Sequence, residues 1–348
     1  MSVPIVLRLG PAVLALVSLL LLVSLAVAPS FPDAGQLGLS ATSRFDVLDV
    51  ARGLRQPLLR TMVNLPQWSP DGEQILYIQQ ILQDATAFDR VKLAGIYQEL
   101  DRLLYPDEAV TGNVEHAPVW SGETSQIALT FAQAGSDGLD LVVVEPHDGA
   151  IYTREVSDTL AQGSLLFWTP AGRLGLISVS RNAVRLEELA TDNSAAPPRE
   201  WPFRSRVARQ PEPGPDGRFI LPAITPESLN FELYLFDPRT EEVRNLSNRP
   251  VHNDTNPVWS PDGERILFRS LNDAGHFLVL MDADGSNQTT LHHESTALMS
   301  QVRWSPDGRR ASFVVTRSGQ KHLCVIEIAS GEVDCPARDV DLALWRPG

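Results

Sequence analysis

A chain of 348 residues with 43% apolar and 21% charged residues has the balance of a folded globular protein, and the length for one large core or two domains. Its formal charge of −14 excludes nucleic acid as a partner, because neutralising phosphates needs a basic face. No run of like charge occurs, so the acidity is spread over a solvated, self-repelling surface.

The N-terminus is the one segment without globular character. From Gly10 to Ala28 no residue is charged, and as a helix this stretch reaches about 28 Å, close to the ~30 Å hydrocarbon core of a bilayer. Residues 1–28 are therefore expected to form a hydrophobic transmembrane helix, a signal anchor. The alternative is a cleaved signal peptide, since Ala26-Val27-Ala28 has the small-residue pattern of a cleavage site. The length of the apolar run and Pro29 directly after the cut favour retention. Arg8 and the amino terminus lie on the N-terminal side of the run, so both readings export the rest of the chain. It stays at the plasma membrane, facing the periplasm or exterior, or is secreted if the segment is cut. Residues 29–44 read as a short tether.

Beyond residue 44 the chain is periodic. "QWSPDG" at Trp68, "VWSGET" at Trp120, "FWTPAG" at Trp168, "VWSPDG" at Trp259, "RWSPDG" at Trp304 and "LWRPG" at Trp345 repeat one phrase. A degenerate copy, "EPGPDG", puts Pro213 in the tryptophan slot, and the intervals then run from 41 to 52 residues. A period in the forties belongs to four-stranded propeller blades. Ser-Pro-Asp-Gly is turn chemistry: Pro presets φ, Asp suits the following position, and Gly accepts left-handed geometry. Each phrase is thus expected to join the first two strands of a blade, with the tryptophans packed between neighbouring blades. An alternating strand follows each turn, such as "QILYIQ" or "RILFRS". A third apolar strand comes next in most units, such as "LDLVVV" or "FLVLMD", and then a weaker polar one, such as "QTTLHH" or "EVDCPA".

The ends complete the pattern. "RFDVLDVARGLRQPLLR" resembles third and fourth strands, and "LALWRPG" a first strand with nothing after it. Together they make a composite blade that lacks a second strand. Residues 45–348 then form an all-β propeller of four-stranded antiparallel blades, with about 43 residues per blade if there are seven and about 51 if there are six. Seven is the expectation, six the alternative. The stretch from Ile81 to Asn113 is long for its place and is expected to contain a short helix, while "TDNSAAPPREWPFRSRVARQ" reads as an exposed excursion. Cys324 and Cys335 flank the turn at Ala329-Ser330-Gly331 at equal distances, which places them opposite one another in a hairpin. An exported location favours a disulfide over two reduced thiols.

The Trp-Ser-Pro-Asp-Gly phrase followed by an alternating strand resembles the TolB-type propeller repeat (PD40, WD40-like). Related repeats occur in propellers of prolyl-oligopeptidase-type and tricorn-type peptidases. The resemblance covers nearly everything after residue 44 and is specific for fold, not function. TolB carries an α/β domain before its propeller, where only the short tether stands here, and no Gly-x-Ser-x-Gly elbow of a peptidase occurs. The resemblance implies an exported propeller that binds a peptide or an envelope protein.

Residue chemistry adds little catalytic signal. No His pair has helical zinc spacing, and Cys-x-x-Cys is absent. "DADGSN" at 282–287 echoes a calcium loop without its closing Glu and falls where a turn is expected. No cofactor or metal is assigned. His116, His252 and Asn256 lie on connections entering first strands and are the candidate binding residues on one face of the ring. The expected function is a monomeric, membrane-tethered, non-catalytic scaffold for a protein or peptide. One alternative is a metal-dependent polysaccharide lyase or hydrolase, with His292 and His293 joining His116 and His252. The other is a structural subunit of an envelope complex.

Overall fold

The computed structural model describes residues 36–347, apart from short stretches at 42–43, 51–53, 62, 84–85, 97–100, 107–110, 136–138, 148, 150, 157–164, 170 and 190–197. Residues 34–348 form one compact unit. The expected anchor at 1–28 lies outside the described residues, and among the described residues no helix is long and apolar enough to cross a membrane.

Seven antiparallel sheets make the ring. Blades 1 to 6 follow chain order, and their inner strands are Asn64–Trp68, Gly112–Trp120, Leu165–Trp168, the broken pair Val207–Ala208 and Glu212–Pro213, Asn253–Trp259, and Leu298–Trp304. Blade 7 is composite: Leu342–Trp345 is its inner strand, followed outward by Gln36–Ala41, Arg44–Asp49 and Leu54–Leu59.

The second strand expected to be missing from that blade is therefore present, inside the segment read as a tether. Leu37 pairs with Trp345 and Ser40 with Leu342 on one side, and Leu39 pairs with Asp46 on the other. "QLGLSA" is short and carries a glycine, which weakens a strand signal, but Gly38 has a packing reason. A Cβ there would stand 2.3 Å from the Phe45 ring and 3.2 Å from that of Trp68.

Two other expectations are corrected. The long segment of blade 1 holds no helix in its described part. Gln74–Gln83 and Thr86–Gly95 form an extended hairpin in register from Gln74↔Gly95 to Gln83↔Thr86. The excursion before blade 4 contributes to the sheets in its described part: Arg199–Pro202 is the outer strand of blade 3, and Trp201 is buried.

The turns behave as their residues dictate. In blade 5 the Gly263 amide donates to the Ser260 carbonyl at 2.9 Å, the Glu264 amide to Asp262 Oδ1 at 3.0 Å, and the Arg265 amide to Ser260 Oγ at 2.9 Å. Gly263 has φ +71°, which a side chain would strain. The Ser260 hydroxyl and the Glu264 amide hold the Asp262 carboxyl below its ordinary range. Blades 1 and 6 repeat the network at Ser69 and Ser305. The "DADGSN" segment is also a turn, with Asp282 Oδ2 accepting from Asn287 Nδ2 at 2.6 Å and Asp284 Oδ1 from the Ser286 amide at 2.9 Å.

Between blades the core is divided into seven buried clusters among the described residues, one at each junction. A tryptophan from the following blade packs into six of them. In four of the six the indole N–H reaches back across the junction to the carbonyl just before the neighbouring tryptophan, while those of Trp120 and Trp259 find no partner among the described residues. Trp68 donates to Leu344 at 3.1 Å, Trp168 to Val119 at 3.0 Å, Trp304 to Val258 at 3.1 Å and Trp345 to Arg303 at 3.3 Å. A guanidinium from the preceding blade lies over several of these rings: Arg218 over Trp259, Arg265 over Trp304 and Arg310 over Trp345, at 5.1, 5.2 and 5.4 Å. Where they are made, the bond adds about 1 kcal/mol and the cation–π contact about 0.5–2 kcal/mol to the burial of the indole, and Trp304 and Trp345 have both.

Cys324 and Cys335 are bonded, joining the third strand of blade 6 (Gln320–Glu327) to its outer strand (Val333–Arg338) at a register shift. Cys324 is fully buried. Changing both to Ser is expected to cost about 2–3 kcal/mol in urea unfolding, because the bond closes a short loop of the unfolded chain. The native protein should show no thiol reactive to a dithiobenzoate reagent until it is unfolded and reduced.

Candidate functional site: the central channel

The inner strands converge on a channel of about 960 Å³, lined by residues from all seven blades. Its lining follows the repeat. The residue three positions before each tryptophan slot faces the channel in every blade. In blades 7, 1, 2 and 3 these residues are Leu342, Leu65, Ala117 and Leu165; in blades 4, 5 and 6 they are Gln210, Asn256 and Gln301. One contiguous arc is therefore apolar, and the other consists of carboxamides.

Local backbone geometry presents these side chains. In blades 1, 5 and 6 the inner strand shifts register at this point, between Asn64 and Gln67, Thr255 and Val258, and Ser300 and Arg303. Leu65, Asn256 and Gln301 take positive φ values of 46°, 54° and 56°. Asn tolerates the left-handed region, whereas Leu and Gln hold it at a cost of about 1 kcal/mol each. Blade 2 shifts register at the same place, between His116 and Val119, so the exposure of these side chains is a property of the repeat.

Charge is concentrated on the amide arc. Arg209 and Glu212 come from blade 4 and Arg303 from blade 6. The broken inner strand of blade 4, with Pro211 between its two pieces, places Arg209 and Glu212 on the channel wall. Burial pushes the Glu212 carboxyl up to about 7, against the pull of Arg303. Part of its surface still opens to the channel. Below that pH the three groups carry two positive charges, and above it one is compensated.

Of the residues singled out from sequence, Asn256 lies in the channel and His252 does not. The His252 Nε2 pairs with Asn272 Nδ2 at 2.9 Å at the far end of blade 5, and burial together with Arg249 lowers its pKa. His116 belongs to the inner strand of blade 2, its backbone opposite Thr130, and its side chain lies outside the described residues. His292 and His293 sit on the outer strand of blade 5, bonded to Glu294 and to the Ala274 carbonyl, each at 2.9 Å. Among the described residues no three His, Cys, Asp or Glu side chains come together as a metal site. Sequence reasoning missed Glu212, Arg303, Gln210 and Gln301. The signal that finds them is the position three residues before the tryptophan, read across the copies.

Comparison with known proteins agrees with this architecture. A stretch of 68 residues is 32% identical to the Tol-Pal system protein TolB of Wigglesworthia glossinidia brevipalpis, covering 20% of this chain and 16% of that protein. Another of 111 residues is 22% identical to dipeptidyl-peptidase 5 of Porphyromonas gingivalis, covering 30% of this chain and 16% of that one. The chain thus matches only 16% of the length of each of these relatives. The β-propeller domain of the Trilobed protease from Pyrococcus furiosus superposes with a TM-score of 0.62 at 9% identity, over 84% of this chain and 89% of that one. TolB from Acinetobacter baumannii gives 0.51 at 16%, over 79% and 67%. At such identities the likeness shows the fold alone. Residues 53–295, well over half of the chain, match the TolB beta propeller domain family (PD40), and the chain belongs to it.

Proposed function

We propose that this propeller is an extracytoplasmic, non-catalytic scaffold that holds an extended segment of a protein partner in its central channel. The observation that carries the reading is the two-sided lining, with leucines on one arc and carboxamides and arginines on the other. An extended peptide presents alternate side chains to opposite sides. Apolar residues would meet the leucine arc, and backbone amides or an acidic side chain would meet Gln210, Asn256, Gln301 and Arg303. The named relative in the Tol-Pal system supports a partner in the cell envelope. The uncharged run from Gly10 to Ala28 supports a tether to the plasma membrane with the ring outside.

Site-specific photocrosslinking in intact cells tests the reading. A benzophenone side chain at Leu65, which is 49% exposed at the channel, is expected to trap one or a few defined proteins. The same group at Asp334, on the outer edge of blade 6, is expected to trap none of them. A channel position that yields no adduct, or the same adducts as the rim, removes the scaffold reading.

A further inference from the structure

The junction between blades 3 and 4 breaks the pattern of the other six. The slot that elsewhere holds a tryptophan holds Pro213, and a cavity of about 530 Å³ opens there. Its apolar walls include Phe167, Leu174, Leu186 and Phe219. The receiving groups of an indole nevertheless remain. Phe167 occupies the place of Val119, Val258, Leu344 and Arg303, whose carbonyls take an indole N–H at other junctions. Arg173 occupies the place of Arg218, Arg265 and Arg310, as the matching turn bonds show: the Thr169 amide donates to the Arg173 carbonyl at 2.7 Å, and the Ser260 amide to the Arg265 carbonyl at 2.8 Å. Arg173 lines the cavity and, having no ring to cover, pairs with Glu188 at 2.9 Å. Both side chains of that pair are well exposed, so parting them costs little.

We propose that this wedge is a recognition pocket for a tryptophan side chain presented by a partner polypeptide. The incoming indole takes the place that this chain's own repeat leaves empty: its ring stands against Phe167 and Phe219, its N–H points at the Phe167 carbonyl, and the Arg173 guanidinium swings from Glu188 to lie across its face. The commitment to indole rests on the six filled junctions, where the fold itself shows which ring this wedge accommodates. The pocket lies at a blade junction and shares Pro213 alone with the channel lining, so a tryptophan amide bound there tests the wedge without reference to what the channel holds.

The test is binding of N-acetyl-L-tryptophanamide by isothermal titration or saturation-transfer NMR, with the 1-methylindole analogue and N-acetyl-L-alaninamide as companions. The intact protein is expected to bind the tryptophan amide saturably, with an affinity of about millimolar as for a small fragment. The 1-methyl analogue, which lacks the donor, is expected to bind roughly 5–10-fold more weakly, and the alanine amide not at all. Pro213→Trp, which fills the wedge from within, is expected to weaken binding at least about tenfold, and Arg173→Ala several-fold. The proposal is overturned if the intact protein shows no saturable binding up to the solubility limit, or if the methylated probe binds equally well. It is also overturned if a folded Pro213→Trp protein binds as before. Should Pro213→Trp fail to fold, Arg173→Ala decides, and unchanged binding by that variant overturns the proposal.

Discussion

Deletion of residues 342–348 is expected to abolish the cooperative unfolding transition of the ring. Those residues carry the inner strand of blade 7, with Ala343 fully buried and Trp345 packed against Leu323 and Val325 of blade 6. Without them Gln36–Ala41 loses its partner on one edge, and the ring opens at its only composite blade. The apolar burial and ladder bonds lost amount to roughly 5–10 kcal/mol, which is comparable to the whole stability of an ordinary domain. Calorimetry is the measurement: the deletion variant should show no sharp endotherm. A milder version isolates the latch. Arg346 is 5% exposed; its Nε donates to the Gly72 carbonyl and its terminal nitrogen to Gln36 Oε1, each at 2.8 Å. Its guanidinium also lies 6.0 Å over the Trp68 ring, the place that a turn arginine fills at other junctions. It thus ties three separate pieces of chain together. Arg346→Ala leaves two buried acceptors unmet and is expected to cost about 3 kcal/mol, read as a lowered urea midpoint with a cooperative transition retained.

Glu212→Gln is expected to stabilise the protein at pH 8 and to change it much less at pH 5. The folded carboxyl is raised to about 7 by burial, from an ordinary value of 4.5. Between those values the folded state binds a proton that the unfolded state releases, so stability falls as pH rises from about 4.5 through 7 and levels off above. The neutral amide avoids that loss. The full shift corresponds to on the order of 3 kcal/mol, reduced in proportion to the part of the carboxyl open to the channel, so about 1–2 kcal/mol is the expected gain. Melting temperatures of the two proteins measured across pH 5–8 should diverge progressively toward alkaline pH. Curves that stay parallel would show that the carboxyl is ionised throughout the range. The same titration makes the channel more positive below neutrality, and an acidic peptide is expected to bind more tightly there.

Much of the architecture was legible because the repeat writes it in residues with strong local preferences. Pro, Asp and Gly set the turn, and alternation sets the strands, so the tryptophan register locates blade boundaries without reference to packing. Closure by the two termini was legible for the same reason, since Trp345 carries the phrase at the very end of the chain. What local preference does not encode was missed. Gln36–Ala41 has neither a turn phrase nor a β-branched run, and its identity as a strand comes from burial between two partners and the tight fit of Gly38. Arg199–Pro202 is a strand that begins with a charged pair and ends in proline, and only the buried face of Trp201 marks it. The helix expected in blade 1 failed because its apolar and polar residues suit either period over so short a span. Partnership with Gln74–Gln83 decided the matter.

The site was less legible than the fold. Asn256 was reached because it stands in a loop-like "NDTNPVW" context, and its left-handed backbone is the kind that Asn accepts. Leu65 and Gln301 occupy the same bulge with residues that give no such hint. Glu212 looks from sequence like one more surface carboxylate. Its raised pKa arises from the broken inner strand of blade 4, which no local pattern announces.

The composite blade has a consequence for the order of assembly. The strand that seats Gln36–Ala41 lies some three hundred residues further along the chain, so Gln36–Ala41 has to wait with one flank uncovered while those residues are produced. During that interval it is a template for pairing with any other nascent copy. Overproduction that outpaces completion of the chain would therefore favour entanglement between molecules, through a strand from one closing the circle of another.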